Sequence, residues 1–232
     1  MVERTLPGNP PVSVTLRRSA RARRFSLRVS RLDGRVTLSI PARASEAEAL
    51  AFAGDKADWV RSILATSAPR RSIGPGATVP FEGRALIVTA AAVRAVRVEG
   101  DLLLVPGDPA RMAARIAAFL KLAARQRLQA ESERFAAGIC RPIRAITLRD
   151  TRSRWGSCTH DGRLMYSWRL IMAPPEVLSY VAAHEVAHLK ELNHSADFWA
   201  VVARMMPDYA RHRRWLRSHG NDLHRIDFGG GE

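Results

Sequence analysis

His184 and His188 stand four residues apart in the run His184-Glu185-Val186-Ala187-His188, and no Gly or Pro separates that run from Pro174-Pro175. Proline is tolerated in the first turn of a helix and breaks its interior, so the pair predicts a helix opening there. Val177, Val181, His184 and His188 then share one face, while Leu178, Ala182, Val186 and Leu189 share another. Positions i and i+4 differ by about 40° in azimuth and about 6 Å in rise, so both imidazoles reach one metal ion. Glu185 lies roughly 100° round from His184, where it is no ligand but touches a water in an open coordination position.

Zinc with three protein ligands keeps a fourth position for water, lowers the pKa of that water toward about 7 and polarises a carbonyl. With Glu185 as general base, these parts predict hydrolysis of a peptide bond. Spacing leaves the third ligand open. His194 follows His188 by too many residues to continue the helical face, and Asn193 and Ser195 predict a turn that folds it back, with Ser195 capping the next helix. Asp197 and Asp208 are the acidic alternatives, and Glu191 or Asp197 is expected to orient an imidazole N–H from behind. Tyr180, Tyr209, His212 and Arg154 are candidates for holding the oxyanion. Zinc is preferred because a His-rich open site suits it.

Upstream, Val12, Val14 and Leu16, then Phe25, Leu27 and Val29, then Val36, Leu38 and Ile40 alternate with polar residues, which predicts antiparallel strands with a hairpin at Asp33-Gly34. Ser45 and Glu48 form a capping-box pattern ahead of one amphipathic helix ending near Ala65. Residues 67–78 have linker composition, and a second β unit with turns at Glu82-Gly83 and Gly100-Asp101 runs from Val79 to Val105. A long basic helix is expected from Pro109 to about Ala137. Strands follow around Ile143–Asp150 and through Leu164, Tyr166, Trp168 and Leu170, and two short helices from Ala196 to Met206 and from Asp208 to Ser218. No internal repeat is visible, and the Gly229–Gly231 tail reads as disordered. These readings divide the chain into a strand-rich region, 1–105, and a catalytic domain, 106–228.

The chain carries 37 Lys and Arg against 22 Asp and Glu, a formal +15, nearly all of it Arg. An Arg- and Ala-rich composition can reflect nucleotide bias, yet the charge attracts nucleic acid whatever its origin. Arg17, Arg18, Arg21, Arg23, Arg24, Arg28 and Arg31 form one cluster, and Arg211, Arg213, Arg214 and Arg217 another. A second function class therefore stands beside the enzyme: a nucleic-acid-associated protein, either a DNA-recruited protease or a basic binding module with structural zinc. No apolar run approaches membrane-spanning length and no signal pattern opens the chain, so a cytoplasmic protein without membrane contact is expected. Cys140 and Cys158 lie in no CxxC pair, which points to reduced thiols.

Arg152-Ser-Arg-Trp-Gly-Ser-Cys158, Tyr180-Val-Ala-Ala-His-Glu-Val-Ala-His188 and Asn193-His-Ser-Ala-Asp-Phe-Trp199 together resemble the YgjP-like metallopeptidase family. The resemblance implies a zincin-like α+β fold with an HExxH helix, kinship with SprT-type proteases, peptide or protein substrates, and Zn2+ held by His184, His188 and His194 with Glu185 catalytic. Trp155, Gly156 and Ser157 are candidate walls of a substrate cleft by strand addition, against the plainer reading of a tight turn with Trp155 packed in the core. Cys158 is a weaker candidate, as nucleophile or as a switch ligand to the metal.

Overall fold

A computed structural model describes residues 2–30, 34–66 and 71–229. The chain separates into two compact units, Met1–Arg70 and Arg71–Glu232, each with its own apolar core. In the first, β1 (Val2–Leu6), β2 (Val12–Ser19), β3 (Ser26–Val29) and β4 (Val36–Pro41) form a sheet in the order β1-β2-β4-β3, followed by α1 (Glu46–Asp55) and α2 (Ala57–Thr66). Alternation sends Val12, Val14, Leu16, Val36, Leu38 and Ile40 to one face, where Ala49, Ala53, Ala57 and Val60 of the helices cover them. The N-cap half of the expected capping box forms, with Ser45 Oγ accepting from Glu48 N–H. Two expectations are corrected. β2 runs parallel to β4, and β3 alone is antiparallel to it, so the hairpin lies at the sheet edge. The single helix is two, because the chain leaves helical geometry at Lys56. Gly34 has the positive φ that the hairpin turn needs, whereas Asp33 and Arg31 lie outside the described residues, as do 67–70 of the expected linker.

The second unit opens with β5 (Arg71–Ser72) and a sheet of β6 (Thr78–Phe81), β7 (Arg84–Ala91), β8 (Arg97–Glu99) and β9 (Leu102–Pro106), ordered β6-β7-β9-β8. Its outer pairs are antiparallel and its central pair parallel, the same topology as the first sheet. When Pro41 and Pro106, which end the fourth strand of each, are superposed in register, the buried Val14, Leu16, Leu38 and Ile40 correspond to the buried Leu86, Val88, Leu103 and Val105. A capped helix follows each sheet. The chain thus contains an internal repeat that alternation alone did not reveal, because it lies in strand order and register.

Asp108 accepts from Ala110 N–H and Pro109 occupies the first turn of α3 (Pro109–Gly138), whose Met112, Ile116, Leu120, Ala124 and Leu128 form a buried stripe. Val79, Leu86, Val88, Leu103 and Val105 belong to that same core. The compact units divide between Arg70 and Arg71, with the second sheet and α3 in the same unit. Next come β10 (Ala145–Arg149), β11 (Gly156–Cys158) and β12 (Arg163–Ser167), ordered β10-β12-β11, with β11 on an edge. The strand expected through Leu170 ends at Ser167 and gives way to a 3₁₀ turn over Trp168–Met172. Helices α4 (Pro175–Ala187), α5 (Ala196–Met205) and α6 (Tyr209–His224) complete the core, α6 running past the expected Ser218. β13 (Ile226–Asp227) pairs with β5, so part of the expected linker is strand, while Gly230 and Gly231 of the expected tail lie outside the described residues. Arg169, nearly buried, donates to Asp150 at 2.6 and 3.0 Å and to the carbonyls of Leu223 and Ile226, holding the end of α6 to the core. Among the described residues no helix is long and apolar enough to cross a membrane.

Candidate metal centre

Pro175 opens α4, and the helix carries His184 and Glu185 in its last turn with His188 at the C-cap. Beyond it the N–H groups of Leu189, Lys190 and Glu191 still bond to Val186 and Ala187 carbonyls, and then the chain turns. Asn193 Oδ1 accepts from Ser195 N–H at 3.1 Å, and Ser195 Oγ accepts from Phe198 N–H at 3.3 Å, which starts α5. The first of these bonds spans His194, and the second begins one residue after it.

The turn brings His194 Nε2 to 3.1 Å from His184 Nε2, and one ring nitrogen from each of His184, His188 and His194 lies within 4.8 Å of the others. A tetrahedral zinc with Zn–N of about 2.0–2.1 Å places its nitrogens about 3.3–3.4 Å apart, close to the His184–His194 separation, while the widest separation in the cluster is larger than one ion spans. The donor chemistry fits. His188 Nδ1–H donates to the Glu191 carbonyl at 2.9 Å, which leaves Nε2 with a free lone pair. Glu191 thus supports the imidazole through its main chain, where a carboxylate was expected. Burial, then the neighbouring His188, His194 and Arg213, pushes His184 down to about 3, and burial lowers His188 too, so both rings are neutral at physiological pH. Neutral imidazole is the form that binds metal. His184 Nδ1 is buried without a hydrogen-bond partner among the described residues. Asp208 instead pairs with His212 at 2.9 Å, and Asp197 lies exposed in the first turn of α5.

Glu185 is 5% exposed, and burial pushes its carboxyl up to about 8 against the opposing charge of Arg154. Gly156, the first residue of β11, lies directly against it: a Cβ built there falls 2.5 Å from Glu185 Oε1. Any side chain at that position displaces the carboxylate. Trp155 stacks on the His224 ring at 4.7 Å and packs over Gly220, as the packing reading expected, and Ser157 is half-buried opposite Met165. The Cys158 thiol is pushed up to about 11 by burial and by the Glu185 and Asp161 charges, which keeps it protonated and a poor nucleophile at neutral pH.

Phe198 was not anticipated. It is fully buried, with its ring 5.0 Å from His184, 4.5 Å from His188 and 4.8 Å from His194, an apolar floor under all three imidazoles. The signal was present in the Ser195 cap with Phe198 three residues on, but nothing in spacing joined it to the histidines. Beside the cluster Trp199 stacks on Tyr209 at 5.3 Å, Tyr209 on Tyr180 at 6.5 Å, and Tyr180 meets the His184 ring edge-on at 6.0 Å. Arg213 lies over Trp199 at 4.6 Å, and its charge acts on both Tyr180 and His184. His212 is buried against Asp208, and Met205 and Met206 pack against the core.

Residues 23–219 match the family model described as YgjP-like, metallopeptidase domain. No curated protein matches the chain. Among solved structures, the crystal structure of the metallopeptidase zymogen of Pyrococcus abyssi abylysin is similar at TM-score 0.36 and 18% identity, over 39% of this chain and 93% of that one.

Proposed function

The chain belongs to the YgjP-like metallopeptidase family, and from that premise we propose that it is a zinc peptidase in which His184, His188 and His194 hold the metal and Glu185 is the general base. The observation that carries this reading is the convergence of three imidazoles beside one buried carboxylate. Zinc bound there supplies Lewis acidity for the scissile carbonyl and for the attacking water, and a positive charge that offsets the desolvation of Glu185. Glu185 takes a proton from that water on a carboxylate oxygen and delivers it to the leaving amine nitrogen, so the carboxylate is regenerated as the C–N bond breaks. Phe198 closes one side of the imidazole cluster with an apolar ring, and Trp155 anchors the loop that presents Gly156.

An extended peptide would pair with the open edge of β11, with Trp155, Gly156 and Ser157 as its wall. Two facts support this: β11 is an edge strand, and Gly156 abuts Glu185, so a peptide on that edge reaches the base. Arg213, stacked over Trp199, would stabilise negative charge developing near His184. Metal analysis of the purified protein with a fluorogenic peptide assay of Glu185→Gln tests the reading. The expected result is bound zinc retained and hydrolysis reduced by about 10²–10⁴. Zinc-loaded protein with hydrolysis unaffected by Glu185→Gln would contradict it.

A further inference from the structure

The helices of the first unit cover one face of its sheet and leave the other open. On the open face the register places Thr15, Thr37 and Arg28 in one cross-strand row and Arg17, Ser39 and Ser26 in the next. No aliphatic or aromatic side chain stands in these rows. Arg17 and Arg28 are exposed, as are Arg21, Arg23 and Arg24 in the β2–β3 connection, and among the described residues none of the five has an ion-pair or hydrogen-bond partner. Glu3, on the outer strand and accepting from Ser13 Oγ at 2.7 Å, is the one carboxylate on this face among the described residues. Two inter-strand steps and two residues along the strand separate Arg17 from Arg28 by roughly 12 Å.

The internal repeat shows that the fold does not require this composition. In the second sheet the same two rows hold Ile87, Leu102 and Glu99, then Thr89, Leu104 and Arg97. There Ile87 and Leu102 are exposed apolar residues, and Arg97 is neutralised by Glu99 at 2.6 Å. One copy of the sheet thus presents apolar side chains and a paired charge, and the other presents hydroxyls and unpaired guanidinium groups.

We propose that the open face of the first sheet, with Arg17, Arg28 and the Arg21–Arg24 connection, binds the phosphodiester backbone of nucleic acid without reading sequence. Hydroxyl and guanidinium donors are the groups that contact phosphate oxygens. Among the described residues the two rows hold no aromatic side chain to serve as a stacking platform for bases and no apolar anchor of the kind an acidic protein partner or a membrane surface would need.

Fluorescence anisotropy of the full chain with a short labelled oligonucleotide, single-stranded and duplex, across a salt series tests the proposal. Wild type binds both at low salt. R17Q/R28Q binds at least tenfold more weakly, with the slope of log K against log salt shallower by about two. R94Q/R125Q, which removes the same charge from exposed positions in the second unit, stays within twofold of wild type, and R17K/R28K retains most of the affinity. Both arginines are exposed and unpaired, so the melting temperatures of the variants match wild type. Absence of binding at low salt, equal losses in the two glutamine pairs, a loss in R17K/R28K as large as in R17Q/R28Q, or equal competition by polyglutamate would each overturn it. None of these readouts depends on peptide hydrolysis.

Discussion

Gly156 and Glu185 show how little room the candidate site leaves at the scale of single residues. A Cβ on Gly156 falls 2.5 Å from Glu185 Oε1, far inside van der Waals contact, and Glu185 is buried. Gly156→Ala is therefore expected to move the carboxylate and lower kcat at least tenfold, while zinc content stays at the wild-type level, since no imidazole is touched. Normal kcat in a crystallographically unshifted variant would refute this account. His184, Glu185 and His188 were legible from spacing because helix geometry converts an i, i+4 interval into an angle. Gly156 and Phe198 were not, since each acts through a contact between segments remote in sequence, and no local periodicity encodes such a contact.

Among the elements, the turn from α4 into α5 matters most for the metal. Asn193 Oδ1 accepts from Ser195 N–H across His194, and Ser195 Oγ caps α5 immediately after it, so the third imidazole is positioned by a turn and a cap and not by a helix. Ser195→Ala removes the α5 cap, with a loss of about 1 kcal/mol of stability. It should also weaken zinc binding, measured by chelator competition, more than an Ala substitution at an exposed position within α5 such as Asp197. Caps and prolines made the starts of α3, α4 and α5 readable. Strand partners were less so: β2 joins β4 in parallel because a crossover through β3 is compatible with the same alternation as a meander. The strand through Leu164 and Tyr166 stops at Ser167 for a tertiary reason, namely that Trp168 and Arg169 turn to pack on Phe228 and Asp150.

For the whole chain, pH offers a test of how the second unit is held together. Burial against Trp155, with the Arg169 charge nearby, pushes His224 down to about 4. Its folded-state pKa lies below the unfolded value near 6.5, so the stability it contributes is full above 6.5 and is lost as pH falls toward 4. Glu185, raised to about 8, acts in the other sense in metal-free protein, its contribution being lost as pH rises from 4.5 through 8. Comparing wild type with His224→Asn isolates the first effect. In the presence of a chelator, the advantage of wild type in Tm should shrink by roughly 4–8 °C between pH 7.5 and 4.5, taking about 2 kcal/mol after discounting for partial exposure. A constant difference would show that His224 does not titrate in that window. By itself the sequence determined the local geometry: the helix that carries His184 and His188, the capped helix starts, the alternating strands and a strong positive charge, all set by interactions within a few residues. Only the tertiary structure decided which distant segments meet. It seated Phe198 under the imidazoles and Gly156 against Glu185, joined residues 78–106 to the second core, and left two equivalent sheets with unlike open faces, because packing between remote segments selects among arrangements that local propensity leaves equal.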